Sequence, residues 1–315
     1  MAEIHIVECA PSEGLNSGRG KIEPKEKARF INHLSETGID KVEAVSFIHP
    51  RLIPQHGDAE EVMKLIKKKP GVTYLGIAPN EVACRRAILT DIDGITVLVA
   101  ASETFNQVAL GYSTRAILNK VLPSVVNVAL SEGKSIRAYL VASFGCPYEG
   151  KVAVTKVEEL VSRLDFMGVS EVSLSDTTGM ANPAIVKELL SALFKMDLRA
   201  KIGVHFHDTR GLGISNALAA FEAGVRIFDT AVGGTSTIPF GVPELNVATW
   251  DVPTEDLVNS FESMGIETGI NLDRLCECVA MAEKITERQL PGHILRAGPN
   301  HNKYPPPQKL RIGYT

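Results

Sequence analysis

Apolar positions along the 315-residue chain follow two alternating rhythms. Short continuous runs rich in Val, Ile and Ala read as buried strands. Longer stretches with an apolar residue every three or four positions read as amphipathic helices. The strand runs are Ile4–Cys9, Lys41–Phe47, Thr73–Ala78, Gly94–Ala100, Ser135–Ser143, Glu171–Ser175, Ala200–His207 and Val225–Val232. Between and after them lie helical patterns at Pro24–Thr37, Ala59–Lys68, Asn80–Leu89, Phe105–Glu132, Val154–Met167, Pro183–Phe194, Gly213–Ala223 and Thr254–Met264. Pro24 and Pro183 suit first helical turns, and Gly168 and Gly224 suit helix ends. Eight strands, each followed by a helix, predict an α/β chain folded as a (β/α)8 TIM barrel. A doubly wound open sheet is the alternative, but no Gly-x-Gly-x-x-Gly turn follows the first strand. A further helix, Asp273–Ile285, and a proline-rich stretch from Pro291 to Thr315 come after the barrel. We therefore expect one barrel domain over 1–286 and an extended tail over 287–315.

Charge and cysteine usage narrow the function. A net charge of -4 provides no basic footprint for nucleic acid and no polybasic patch for a membrane surface. No apolar run approaches the ~18 residues of a membrane span, and a strand begins almost at the amino terminus, where a signal peptide would lie. The five cysteines have no disulfide-framework spacing. Cys276 and Cys278 sit two apart in a helical pattern, where side chains do not face each other. Cys9 and Cys146 read as small buried apolar residues. These features lead us to expect a reduced, cytoplasmic protein.

In a barrel, chemistry collects at the carboxyl ends of the strands and in the loops that follow. Those positions supply Glu8, Ser12, Glu13 and Asn16 after the first strand, and Glu43, Ser46, His49, Arg51, Gln55 and His56 around the second. Asp176 ends the sixth, His205, His207, Asp208 and Arg210 lie at the seventh, and Asn246 follows the eighth. His205 and His207 are two apart in a strand, so both imidazoles point to one face, roughly 6.5–7 Å apart along the chain. Together with a carboxylate and an amide oxygen they form a mixed nitrogen and oxygen donor set. Such a set suits Mg2+, Mn2+ or Co2+; Zn2+ more usually brings a third His or a Cys. An ion there can polarise a carbonyl and stabilise an enolate left by carbon–carbon cleavage.

The segments Val42-Glu-Ala-Val-Ser-Phe47, Pro54-Gln55, Gly145-Cys-Pro-Tyr-Glu-Gly-Lys151, Asp176-Thr177 and His205-Phe-His-Asp-Thr209 resemble the hydroxymethylglutaryl-CoA lyases, a branch of the DRE-TIM metallolyases. The resemblance runs from Ile6 to about Asp251. It implies a divalent ion held by Glu13, His205, His207 and Asn246, and catalytic roles for Glu43 and Asp176. It also implies substrate contacts at Ser12, Asn16 and Ser46, an acyl-CoA or related hydroxy or keto acid as substrate, and a homodimer. Four departures stand against the family's standard reaction. Ser12 replaces the catalytic Arg, Glu13 the metal-binding Asp, and Ile238 the catalytic Cys, while Ala109-Leu110-Gly111 replaces Asn-Ile-Asn. Losing one such catalytic group typically costs roughly 10²–10⁴ in rate. His49, His56 and Arg210 are new in the same loops, and we expect one of the histidines to move protons and Arg210 to restore positive charge. The expected function is a metal-dependent carbon–carbon lyase, or its reverse condensation, on a substrate other than hydroxymethylglutaryl-CoA. A metal-dependent hydrolase or isomerase, or a non-catalytic metabolite binder, remains open at this point.

Overall fold

The computed structural model describes residues 4–17, 21–236 and 249–301. Eight parallel strands close into a barrel in sequence order: β1 (His5–Glu8), β2 (Lys41–Ser46), β3 (Thr73–Ile77), β4 (Gly94–Ala100), β5 (Ser135–Val141), β6 (Glu171–Asp176), β7 (Lys201–Phe206) and β8 (Ile227–Thr230), with β8 pairing back onto β1. Helices connect the strands and cover the barrel, so the strands are buried on both faces. That is why they read as continuous apolar runs; every residue of β4 is buried. The expected barrel is the observed one.

Local chemistry sets the helix starts. The Asn182 side chain accepts from the backbone N–H groups of Ala184 and Ile185, with Pro183 in the first turn. Asn80 does the same for Ala83. One expectation fails. The single helix over Phe105–Glu132 is broken by Gly111, whose φ of 74° reverses the chain after a π-helical turn at Asn106–Leu110. Ser113 then caps a new start, a second π-helical turn occupies Ile117–Val121, and a regular helix resumes over Leu122–Ser131. The apolar period survives the break, so periodicity alone could not reveal it.

The lower barrel carries a buried ionic layer. Arg137 on β5 donates from Nε to Glu171 on β6 at 2.5 Å and from Nη2 to Asp229 on β8. Its guanidinium also lies 4.9 Å from the Tyr139 ring centroid. Lys41 on β2 completes the pairing of Glu171, and Ser173 donates to Asp229 at 2.6 Å. At the opposite end, β2 carries a bulge between Glu43 and Val45. Such a bulge re-aims the neighbouring side chains of a strand.

A short segment after β8 then docks between the ends of β7 and β8. Asp208 N donates to Trp250 O at 2.6 Å and Val252 N donates to Phe206 O at 3.1 Å. Ala231 N donates to Val252 O at 3.2 Å on the other side. These bonds place Asp251 directly opposite His207. Beyond the helices Thr254–Ser263 and Leu272–Thr286, the beginning of the tail is pinned to the barrel: Asp256 accepts from the backbone N–H of His293 and Ile294, ahead of a short helix at Ile294–Ala297. Among the described residues, no helix is long and apolar enough to cross a membrane.

Candidate metal and active centre

The two histidines of β7 end meet one carboxylate. His205 Nε2 lies 3.1 Å, and His207 Nε2 3.2 Å, from the same Asp251 oxygen. The two imidazoles stack at 5.1 Å with 20° between their planes, so both edges face the same point. All three side chains are buried, and their ligand atoms lie within 4.8 Å of one another. Asp251 Oδ2 and His207 Nδ1 have no hydrogen-bond partner. Buried polar atoms without partners are costly. Two nitrogens converging on one carboxylate, whose second oxygen is unpaired, are a donor set that fits a divalent cation. A second group, Cys9 with His205 and Asp229, is a poorer candidate. Burial pushes the Cys9 thiol well above its usual pKa, and its sulfur already lies 3.3 Å from the Tyr139 hydroxyl.

The layer beneath orients His205. Its Nδ1 lies 3.6 Å from Asp229 Oδ2, and the Tyr139 ring packs against its edge at 5.4 Å. Burial alone would raise the Asp229 pKa, but Arg137 and His205 bring it down to about 2. Burial opposes a charge on His205, yet Asp251 and Asp229 outweigh that and hold its pKa well above the ordinary value. Burial instead carries His207 down to about 4. Asp229 thus stays ionised and fixes the ring, as carboxylates behind metal-ligating histidines do.

Around this cluster a pocket opens to the barrel mouth, lined among others by Ser12, Glu13, His56, Ser175, Thr177, His205 and His207. Glu13 is among the walls. Burial raises its pKa to about 8, opposed by the charge of His205. Ser12 donates to Glu43 Oε1 at 2.6 Å and to Cys9 O at 3.1 Å. Burial raises the Glu43 pKa as well, against the pull of Arg137 and Ser12. Asp176 spends Oδ1 on the backbone N–H groups of Met180 and Ala181, and burial lifts its pKa to about 6.

The remaining expected residues divide. His56 is buried in the pocket wall and hydrogen-bonds the Ser12 backbone; burial and Lys27 lower its pKa to about 4, so it is neutral at pH 7. His49 is exposed outside the pocket, where Nδ1 accepts from Arg51 N. Arg210 donates to the Thr178 carbonyl and does not line the pocket. Ser46 is buried, and its hydroxyl takes the Ile48 N–H at 3.4 Å. His49, Arg210, Ser46, Glu43 and Asp176 do not line the pocket, although Glu43 meets its wall through Ser12. Asn16 lies in the turn Gly14–Ser17, and its side chain falls outside the description. Asn246 and Ile238 lie outside the described residues.

Sequence reasoning missed Asp251. Counted forward from β8, it lies about 20 residues beyond the strand end, with no motif to mark it. Counted backward from the helix start at Thr254, it falls where a returning segment meets β7. It missed Glu8 as an organiser too. That buried carboxylate accepts from Ala10 N, Val232 N and the Thr254 hydroxyl, tying the first and last strand ends together.

Residues 3–281 match the HMGL-like family. The chain belongs to that family. Hydroxymethylglutaryl-CoA lyase from Bacillus subtilis is 36% identical, over 93% of this chain and 97% of its own. The human mitochondrial hydroxymethylglutaryl-CoA lyase is 35% identical, over 90% of this chain and 88% of its own. Among solved structures, an HMG-CoA lyase from Acinetobacter baumannii, in complex with coenzyme A and 3-methylmalate, superposes with a TM-score of 0.89. It is 33% identical and covers 96% of this chain and 98% of that one. The family's relatives are carbon–carbon lyases, and the chain is an enzyme of that class. Divalent-metal dependence is typical of the family, and the His205–His207–Asp251 cluster is a donor set of that kind.

Proposed function

We propose that this HMGL-like enzyme cleaves a β-hydroxy acyl-CoA, or a closely related hydroxy acid, in a retro-Claisen or aldol manner that depends on a divalent ion, and that its substrate differs from hydroxymethylglutaryl-CoA. The carrying observation is the convergence of His205 Nε2 and His207 Nε2 on one buried Asp251 oxygen beside the pocket at the barrel mouth. His205, His207 and Asp251 would hold Mg2+, Mn2+ or Co2+, with Glu13 in the adjoining wall as a further carboxylate. When bound, such an ion draws electron density from substrate oxygens and stabilises charge that develops on them.

The chain's own residues would do the rest. Glu43, whose pKa burial raises above the ordinary carboxylate value, is the candidate to exchange a proton with the substrate. The Ser12 hydroxyl, 2.6 Å away, would orient it and offer a neutral hydrogen bond where relatives place a guanidinium. His56, neutral and bonded to the Ser12 backbone, would act as a positioning residue for that turn. Asp176 would shape the mouth through the two N–H bonds it accepts, which fix the turn after β6. The exchange of Arg for Ser removes a fixed positive charge, which favours a substrate that needs less of it. Relatives that carry coenzyme A support CoA as the carrier.

The test is product analysis. Purified protein loaded with Mg2+ or Mn2+ is incubated with a panel of β-hydroxy acyl-CoAs, and the carbon products are trapped. Two carbon fragments, lost on chelation, support the reading. An isomer or a free acid with intact carbon skeleton would replace it with a metal-dependent isomerase or hydrolase.

A further inference from the structure

Beside the metal pocket lies a second cavity, between the loop after β2 and the broken helix after β4. Ile48 and Ile53 line both cavities, so the two share a wall. Leu98 and Ile117 form its buried floor. Leu52, Val108 and Tyr112 stand around its opening at 76%, 50% and 45% exposure. Large apolar side chains left in water around one opening mark a binding site more often than a chance surface. Among the described residues, no Asp, Glu, Lys, Arg or His lines the cavity. Its one amide, Asn80, already accepts from Ala83 N at 3.0 Å to cap a helix. Among the described lining residues, the side chains around the buried floor are aliphatic, and Tyr112 places its hydroxyl-bearing ring at the rim.

The backbone of this wall is itself unusual. Val108, Ala109 and Leu110 come from one π-helical turn, and Ile117 and Val121 from the other. Wide turns of this sort cluster at functional sites, where they open space a regular helix would close. The first of them carries Ala109-Leu110-Gly111 in place of the Asn-Ile-Asn of the related lyases, so two amides have been exchanged for an apolar face.

We propose that this cavity is a subsite for an aliphatic substituent of the substrate: the acid cleaved carries a hydrocarbon branch several carbons long in place of a methyl group. The proposal rests on the acyl-lyase reading above and specifies its substrate class. Branch length is then selected by Leu98, Leu110 and Ile117, whereas the reacting end sits at the metal pocket.

The experiment measures binding, so that turnover is not required. Calorimetry with Mg2+ present compares 3-hydroxy-3-methylglutarate with 3-hydroxy-3-pentylglutarate, each as the free acid and as the mono-CoA thioester. A fully buried methylene is worth about fourfold in affinity, so four half-buried ones give about sixteenfold. The pentyl compound should bind at least about tenfold tighter in one of the two forms. Leu110→Asp should bring that ratio close to one. Val108→Asp, at the exposed rim, serves should the first variant not fold, as judged by thermal melting. Equal affinities, no binding of either pentyl compound, or an unchanged ratio in both variants overturns the subsite. Products are analysed in the same samples. A pentyl preference without cleavage refutes the lyase reading and keeps the subsite, and cleavage without the preference does the reverse.

Discussion

Replacing Arg137 by Met tests how the barrel's ionic layer supports the site above it. Arg137 is 3% exposed and neutralises two carboxylates, Glu171 through Nε at 2.5 Å and Asp229 through Nη2. At an effective dielectric of about 20, one such contact at ~3 Å is worth about 5 kcal/mol of attraction. Desolvation cancels much of that in the intact pair, but removing one partner leaves the other buried and unpaired. The carboxylates are not stranded equally. Glu171 keeps Lys41, whereas Asp229 keeps only the Ser173 hydroxyl and the distant His205 Nδ1. We expect Arg137→Met to lose roughly 3–5 kcal/mol, the usual cost of breaking a buried pair. Arg137→Met with Asp229→Asn should recover roughly 2 kcal/mol or more relative to the sum of the single losses, because the stranded charge is gone. Guanidinium chloride denaturation at pH 7, read by fluorescence and circular dichroism, gives all four stabilities. A loss under about 1 kcal/mol for Arg137→Met, or strict additivity in the double variant, would refute the reasoning.

Four further outcomes follow from the same geometry. Burial lifts the Glu255 carboxyl to about 8, although Oε2 accepts the Gly233 N–H. The folded state therefore holds its proton more tightly than the unfolded chain, so its contribution is complete below about pH 4.5 and is lost as pH rises through about 8. Glu255→Gln should accordingly gain stability on the wild type between pH 6 and 9 in thermal melts, and a constant difference would contradict this. A Cβ on Gly14 would meet Thr235 Oγ1 at 2.2 Å and its carbonyl oxygen at 2.9 Å; Gly14→Ala should cost roughly 1–3 kcal/mol and, by shifting the adjacent Glu13, weaken metal binding by about tenfold in a titration. His49→Gln should leave activity within about twofold, because that ring is exposed and bonded only to its own turn; His56→Gln should lower kcat by about tenfold without moving the pH profile, as a positioning residue does.

The barrel was legible because its evidence is redundant. Eight short segments rich in apolar residues recur along the chain, and the helices between them carry start or stop signals such as Asn182-Pro183 or Gly224. The break at Gly111 was not legible, because apolar spacing continues across it and a single glycine inside a helical pattern is ambiguous. At the site, His205 and His207 were legible because a strand's period of two dictates that their side chains share a face. Asp251 was not, since its place depends on backbone bonds to Phe206 and Asp208, more than 40 residues away in sequence. His49 and Arg210 looked equivalent to His56 as polar loop residues. Burial separates them, and burial in a loop depends on how neighbouring loops pack.

Metal stoichiometry and affinity of the purified chain test the central claim most directly, with Asp251→Ala, Asn246→Ala and His207→Ala beside the wild type. The account predicts one divalent ion per wild-type chain. Loss of a direct ligand should exceed the ten- to hundredfold typical of outer partners, so Asp251→Ala and His207→Ala should each weaken binding by at least about 100-fold. Asn246→Ala should have the smaller effect. A wild-type chain that takes up no divalent ion, or an Asp251→Ala chain that binds it as tightly as the wild type, would contradict the account.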